Sequence, residues 1–261
     1  MSTPIETVKR LPVTVITGFL GSGKTTLLRY LLKNSKQRLA VIVNEFGSIG
    51  VDADLIKSCG FCSEEEANGR IVELNNGCLC CTVQEEFLPT IQKLLERSNS
   101  LDGVVIETSG LALPEPLLKA LDWPAIRGRV YRNGVVTVVD GEALSLGSPV
   151  GNLLAINKQR DNDPNIDHLT PIDQLFGDQL KASDLALISR CDKISSTQAE
   201  DIKESLNKKR GKPIPILPIE NGIIDPTIVL GLLAEENREY VGFADDHDHD
   251  HDHDHDHDHL K

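Results

Sequence analysis

The stretch from Val13 to Thr26 limits the fold more than any other part of the chain. Val13-Thr14-Val15-Ile16-Thr17 is rich in β-branched side chains and reads as a buried strand. It runs into Gly18-x4-Gly23-Lys24-Thr25, after which Leu27, Leu28, Leu31 and Leu32 recur at helical spacing. Strand, glycine loop and helix in that order are the context of a phosphate-binding P-loop. Gly18, Gly21 and Gly23 let successive backbone N–H groups turn inward on a polyphosphate, and the helix N-terminus adds partial positive charge. Ser22 and Thr26 complete the loop, Lys24 reaches the β- and γ-phosphates, and the Thr25 hydroxyl can ligate Mg²⁺. The chain is expected to bind a nucleoside triphosphate.

Downstream, short apolar runs alternate with helical patterns. Residues 39–43, 70–74, 104–106, 135–139, 185–188 and 213–217 read as strands. Helices are expected after residue 86, over 174–181, up to Lys209 behind a Thr197-x2-Glu200 capping box, and over 226–235. Asn133-Gly134 reads as a hairpin-type turn, and 149–171 as a polar loop. Such alternation implies an α/β fold, a mostly parallel sheet with helices on both faces. Ligands in such folds sit at the carboxyl ends of the strands, where Thr17, Asn44, Glu107, Asp140 and Ser189 all fall. The expected organisation is an N-terminal extension (1–11), a P-loop NTPase domain (12–220), a terminal helix and linker (221–244) and a tail (245–261).

Hydrolysis of a bound triphosphate needs Mg²⁺ and a group that organises the attacking water. Glu107, at the end of an apolar strand, has the right form, and Gly110 can bring bare backbone to the γ-phosphate. Base choice is expected at Ser189-Arg190-Cys191-Asp192. The Asp192 carboxylate can accept from guanine N1–H and N2–H₂, which adenine does not offer. Many GTPases carry Asn-Lys-x-Asp here; this chain keeps the aspartate and replaces the first two residues.

Cys78, Cys80 and Cys81 are three soft ligands within four residues, behind a turn-forming Asn76-Gly77, and suit Zn²⁺, Co²⁺ or Cu⁺. Cys59-x2-Cys62-x15-Cys78-x2-Cys81 also matches a structural four-cysteine zinc site, leaving Cys80 over. Cys191 reads as a small buried hydrophobe. The segment 48–69 is polar and looks like an excursion from the core.

The net charge of −13 is concentrated in the tail, where seven histidines alternate with aspartates from His247 to His259. Without residues 245–261, 26 basic side chains face 32 acidic ones, which gives no electrostatic reason to seek nucleic acid. The tail cannot bury anything; it is expected to be disordered and to collect divalent metal. No apolar run approaches a membrane span, and residues 1–10 lack the apolar core of a signal peptide. Clustered cysteines then point to reduced thiols in a cytoplasm.

These motifs together resemble the CobW family of P-loop GTPases, relatives of the nickel-insertion GTPases of hydrogenase and urease, over about residues 12–244. The resemblance is carried by residues 18–26, Asn44-Glu45-Phe46-Gly47 with Asp52, Glu73-Leu74-x-Asn76-Gly77-Cys78-Leu79-Cys80-Cys81, and Glu107-Thr108-Ser109-Gly110-Leu111-Ala112-x-Pro114. It implies a GTP-hydrolysing metallochaperone whose cysteine motif binds Co²⁺ or Zn²⁺, with two switch segments and Glu107 serving magnesium and water. Glu45 is a further candidate metal ligand. The implied partner is a metal-recipient protein, either a cobaltochelatase of cobalamin biosynthesis or a zinc enzyme, and a nucleotide-dependent homodimer fits the same picture. Cobalt is the favoured cargo on family grounds; zinc delivery under zinc limitation and passive zinc storage or sensing are the alternatives. Ser189, Arg190 and the Cys59–Cys62 pair depart from the family pattern, and the C-terminal α/β domain usual after a histidine-rich linker is expected to be missing.

Overall fold

β-Branched and leucine-rich runs buried on both sides organise the molecule. The computed structural model describes residues 8–43, 71–73, 87–162, 170–232 and 239–240. The readings made for Asn44, Glu45, Asp52, the segment 48–69, all cysteines except Cys191, and the His/Asp tail lie outside the described residues.

In chain order the elements are β1 (Val8–Lys9), β2 (Leu11–Thr17), α1 (Lys24–Asn34), β3 (Leu39–Val43), β4 (Ile71–Glu73), α2 (Leu88–Leu95), β5 (Gly103–Glu107), α3 (Glu115–Leu121) and β6 (Val130–Asp140). They continue with α4 (Gly141–Ser145), α5 (Leu153–Asn162), α6 (Ile172–Lys181), β7 (Leu185–Ser189), α7 (Ser196–Arg210), β8 (Ile216–Pro218), α8 (Pro226–Leu230) and β9 (Glu239–Tyr240). Among the described residues seven strands form one sheet in the order β4-β3-β5-β2-β6-β7-β8, and every pairing in it is parallel. β1 and β9 form a separate antiparallel pair.

Alternation along the strands divides the core between the two faces of the sheet. Ala40, Ile42, Val13, Val15, Val104 and Ile106 pack with Ile91, Leu94, Leu95, Leu117 and Leu121 of α2 and α3. Their neighbours Val41, Val43, Ile16, Val105, Val136 and Val138 meet Leu27, Leu28 and Leu31 of α1 and Val229 of α8. Val139, Ala186 and Ile188 pack with Phe176 and Leu180 of α6 and Ile202 and Leu206 of α7. The parallel sheet with helices on both faces is thus as the sequence implies, and it puts Thr17, Glu107, Asp140 and Ser189 on one edge.

Three local expectations are corrected. Asn133-Gly134 is not a hairpin turn but lies inside β6, where the pairing with β2 shifts between Val13–Arg132 and Thr14–Gly134. Asn133 is the extra residue of this bulge, and its amide donates to Thr14 Oγ1 (2.8 Å) and to the Val229 carbonyl (3.3 Å). Burial of Val130, Tyr131 and Val135 on either side outweighs the turn preference. Within the segment 149–171, α5 forms because Asn152 Oδ1 accepts from the Ala155 N–H (2.9 Å) and Ile156 is buried. Leu153 and Leu154 are exposed, so the helix has no apolar stripe to betray it. The capping box is Ser195 with Gln198, two residues before the expected pair, with bonds of 3.2 and 2.9 Å.

Replacing Asn133 with Ala removes both amide donations from a fully buried site. It is expected to lower unfolding stability by about 1–3 kcal/mol with an unchanged denaturant slope, checked by urea titration.

Candidate functional site

The carboxyl edge of β2, β5 and β7 opens into a cavity of about 420 Å³, a size suited to a small-molecule ligand. Gly21, Ser22, Gly23, Lys24, Thr25, Thr26, Glu107, Gly110, Ser189 and Asp192 all line it, so the sequence-derived candidates within the described residues converge there. Gly18 lies beneath. Its φ is +128°, and a Cβ there would come 2.1 Å from the Val138 carbonyl oxygen, so the loop can turn off β2 only through glycine.

Each wall is fastened to the next. Lys24, buried at the start of α1, donates from Nζ to the Phe19 carbonyl (3.2 Å), which holds the ammonium inside the loop. Thr25 Oγ1 donates to Glu107 Oε1 at 2.9 Å. Thr108 is tied to β2 through its N–H to the Ile16 carbonyl (3.0 Å) and through its hydroxyl to Thr17 Oγ1 (3.0 Å) and the Ile16 carbonyl (3.5 Å). A Cβ on Gly110 would stand 2.5 Å from the Leu20 nitrogen, so the loop after β5 lies backbone against backbone on the P-loop. The Thr25 hydroxyl and the Glu107 carboxylate are adjacent hard oxygen donors of the kind Mg²⁺ accepts.

At the other end, the Ser189 hydroxyl donates to the Ser22 carbonyl (2.6 Å) and the Val139 carbonyl (3.1 Å), bracing the P-loop. Arg190 stands in the left-handed region (φ 56°) and donates to the Gly21 carbonyl (2.9 Å) and to Asp140. Asp140 therefore serves Arg190 and caps α4 through the Ala143 N–H (3.2 Å). Cys191 is half-buried at the edge of the core rather than fully buried; it donates to the Ile188 carbonyl (3.1 Å), and burial pushes its thiol up from the ordinary range.

The sequence reading missed Glu142, Gln159, Asn221 and Gly222 in the cavity wall. Asn221 has φ 51°, and Asn-Gly shortly after β8, at the carboxyl edge of the sheet, is the signal that could have found it. Gln159 sits on α5, which carries no such signal. Among the described residues no group of three or more His, Cys, Asp or Glu could hold a metal ion, and no helix is long and apolar enough to cross a membrane.

Comparison with known proteins agrees with this geometry. Residues 12–215 match the model of the CobW/HypB/UreG nucleotide-binding domain. A "Zinc chaperone CobW" of Pseudomonas aeruginosa is 45% identical over 94% of this chain and 66% of its own length. A "Zinc-regulated GTPase metalloprotein activator 1" of Schizosaccharomyces pombe is 32% identical over 78% of this chain and 44% of its own. This chain thus spans less than two thirds of either relative. The Zn(II)-bound YjiA GTPase of E. coli shares the fold, with a TM-score of 0.55 and 24% identity over 91% of this chain and 67% of that one.

The Gly18→Ala variant is expected to weaken nucleotide binding at least about tenfold, since the strained φ alone costs of order 1–3 kcal/mol. Titration with a fluorescent nucleotide checks it.

Proposed function

The chain belongs to the CobW/HypB/UreG nucleotide-binding family, and on that premise we propose that it is a Mg²⁺-dependent GTPase that binds zinc through Cys78, Cys80 and Cys81 and releases it to a recipient protein. One observation carries the nucleotide half. The P-loop, the carboxylate ending β5 and the aspartate after β7 line a single cavity on one sheet edge. Lys24 and the P-loop amides hold the β- and γ-phosphates, and Asp192 reads the guanine edge. Thr25 and Glu107 would hold a magnesium ion, which would offset charge on the phosphates. Glu107 also orients the water that attacks the γ-phosphorus, while the β–γ bridging oxygen leaves with GDP.

The cargo half is supported by ligand chemistry and relatives. Thiolates accept both cobalt and zinc, so the sequence-level leaning to cobalt rests on family grounds alone. The similarity to a zinc chaperone and to a zinc-regulated GTPase metalloprotein activator favours zinc. β4 supports a link between the two halves. In the sheet Glu73 lies beside Val43 and Val43 beside Glu107, so the chain leaves for Cys78 from the row that ends in the candidate catalytic carboxylate. A recipient zinc enzyme and a cytoplasmic setting complete the proposal.

Zinc titrations with a non-hydrolysable GTP analogue and with GDP test it. Binding is expected to be about 5–150-fold tighter with the GTP analogue, and zinc must tighten analogue binding by the same factor. Equal affinities in the two nucleotide states remove the linkage. Changing Cys80 and Cys81 to Ser should abolish the nucleotide dependence with the fold intact. Loss of the fold would identify a structural zinc site instead. Cobalt run in parallel returns the cargo to cobalt if it alone shows the linkage.

A further inference from the structure

Gln179 is wholly buried on α6, away from the cavity wall, and no role in nucleotide contact accounts for it. Its Nε2 donates to the Gly110 carbonyl (3.2 Å) and to the Ala112 carbonyl (3.1 Å). Both partners are acceptors, which only the NH₂ end can serve, so the orientation of the amide is fixed. Its Oε1 has no hydrogen-bond partner among the described residues. A buried amide with an idle oxygen is a costly way to fill core volume, and leucine or methionine would fill it without that cost. What the amide adds is a grip on two carbonyls of the loop that follows Glu107.

One turn earlier on α6, Phe176 stacks on Phe19 of the P-loop, with ring centroids 6.0 Å apart. A single helix face therefore touches both loops that meet at the phosphate end of the cavity. Outward, Lys209 of α7 lies over the Phe176 ring and pairs with Asp173 (2.7 Å), which fixes α6 to the layer behind it.

We propose that Gln179 is a positioning residue for GTP hydrolysis, a role that rests on the GTPase reading above. By holding the Gly110–Leu111 and Ala112–Leu113 peptide planes, it sets the loop against the P-loop and keeps Glu107 and Gly110 where the γ-phosphate is met. GDP has no γ-phosphate, so its affinity reports the P-loop and the guanine end of the cavity, neither of which Gln179 hydrogen-bonds.

The test uses the full chain with Q179L, and Q179M as a second apolar replacement. Hydrolysis should fall about tenfold or more in kcat, with KM and GDP affinity within about twofold, the pattern of an interaction felt only on the way to the transition state. A variant of lowered Tm but unchanged kcat, assayed well below its Tm, makes Gln179 a packing residue and overturns the proposal. If neither variant folds, hydrogen exchange on the unsubstituted chain decides. Amides of residues 108–113 and of α6 should both gain protection when a GTP analogue replaces GDP, and a gain confined to the loop overturns it. An unsubstituted chain that binds neither GDP nor a GTP analogue removes the GTPase reading itself, and this role with it. Normal wild-type turnover alongside an unaffected variant removes only this role.

Discussion

The hydrogen bond from Thr25 to Glu107 joins the first turn of α1 to the last residue of β5, and the site depends on it. Its formation is a matter of register. Glu107 pairs with Ile16 on one side and Val43 on the other, and both of those side chains belong to the core beneath α1. Aligned residues of neighbouring parallel strands share a face, so Glu107 emerges on the α1 side and meets the threonine that the P-loop delivers. A slip of one residue would send the carboxylate to the α2–α3 face and leave it buried without that hydroxyl. The apolar residues of β2, β3 and β5 forbid the slip, because each alternate set already fills one of the two layers.

The parts of the fold legible in the sequence are those fixed by such double burial. Val13 to Ile16, Leu39 to Val43 and Leu185 to Ile188 are buried on both faces and apolar but for Thr14, a pattern that a covered parallel sheet accommodates. The P-loop was legible because its glycines are demanded by backbone sterics, as the approach of Gly18 to the Val138 carbonyl makes plain. What could not be read depends on partners distant in sequence. Asn133 looks like a turn residue until Thr14 and Val229 are beside it, 119 and 96 positions away. Helix α5 buries too little to leave an apolar period, and Gln179 is one polar residue on a helix whose targets lie near residue 110.

The replacement of Asn-Lys by Ser189-Arg190 is absorbed by geometry. A serine hydroxyl is short, yet the Ser22 carbonyl comes within 2.6 Å of it, so the strand end still clasps the P-loop. Arg190 takes a backbone conformation uncommon outside glycine and spends its guanidinium on two acceptors, the Gly21 carbonyl and the Asp140 carboxylate. Asp140 is nearly buried in the cap of α4, so the ion pair is charge-assisted on its inner side while the arginine remains partly in water. That arrangement ties the P-loop to β6 as well as to β7. Asp192 keeps its place in the cavity wall without the residues that usually precede it.

On the proposed reading the protein handles two metals with nucleotide chemistry between them, and donor type is what keeps them apart. The cavity offers oxygen, from the Thr25 hydroxyl and the Glu107 carboxylate, and hard donors favour magnesium. The cargo motif offers sulfur, which a borderline ion such as zinc prefers. Cys191, next to Asp192 of the cavity wall, would blur that division as a thiolate. Burial raises its pKa, and its S–H donates to the Ile188 carbonyl rather than into the cavity wall. Separation of the two ions is a condition for coupling them, since a cargo that could occupy either position would report nothing about the nucleotide.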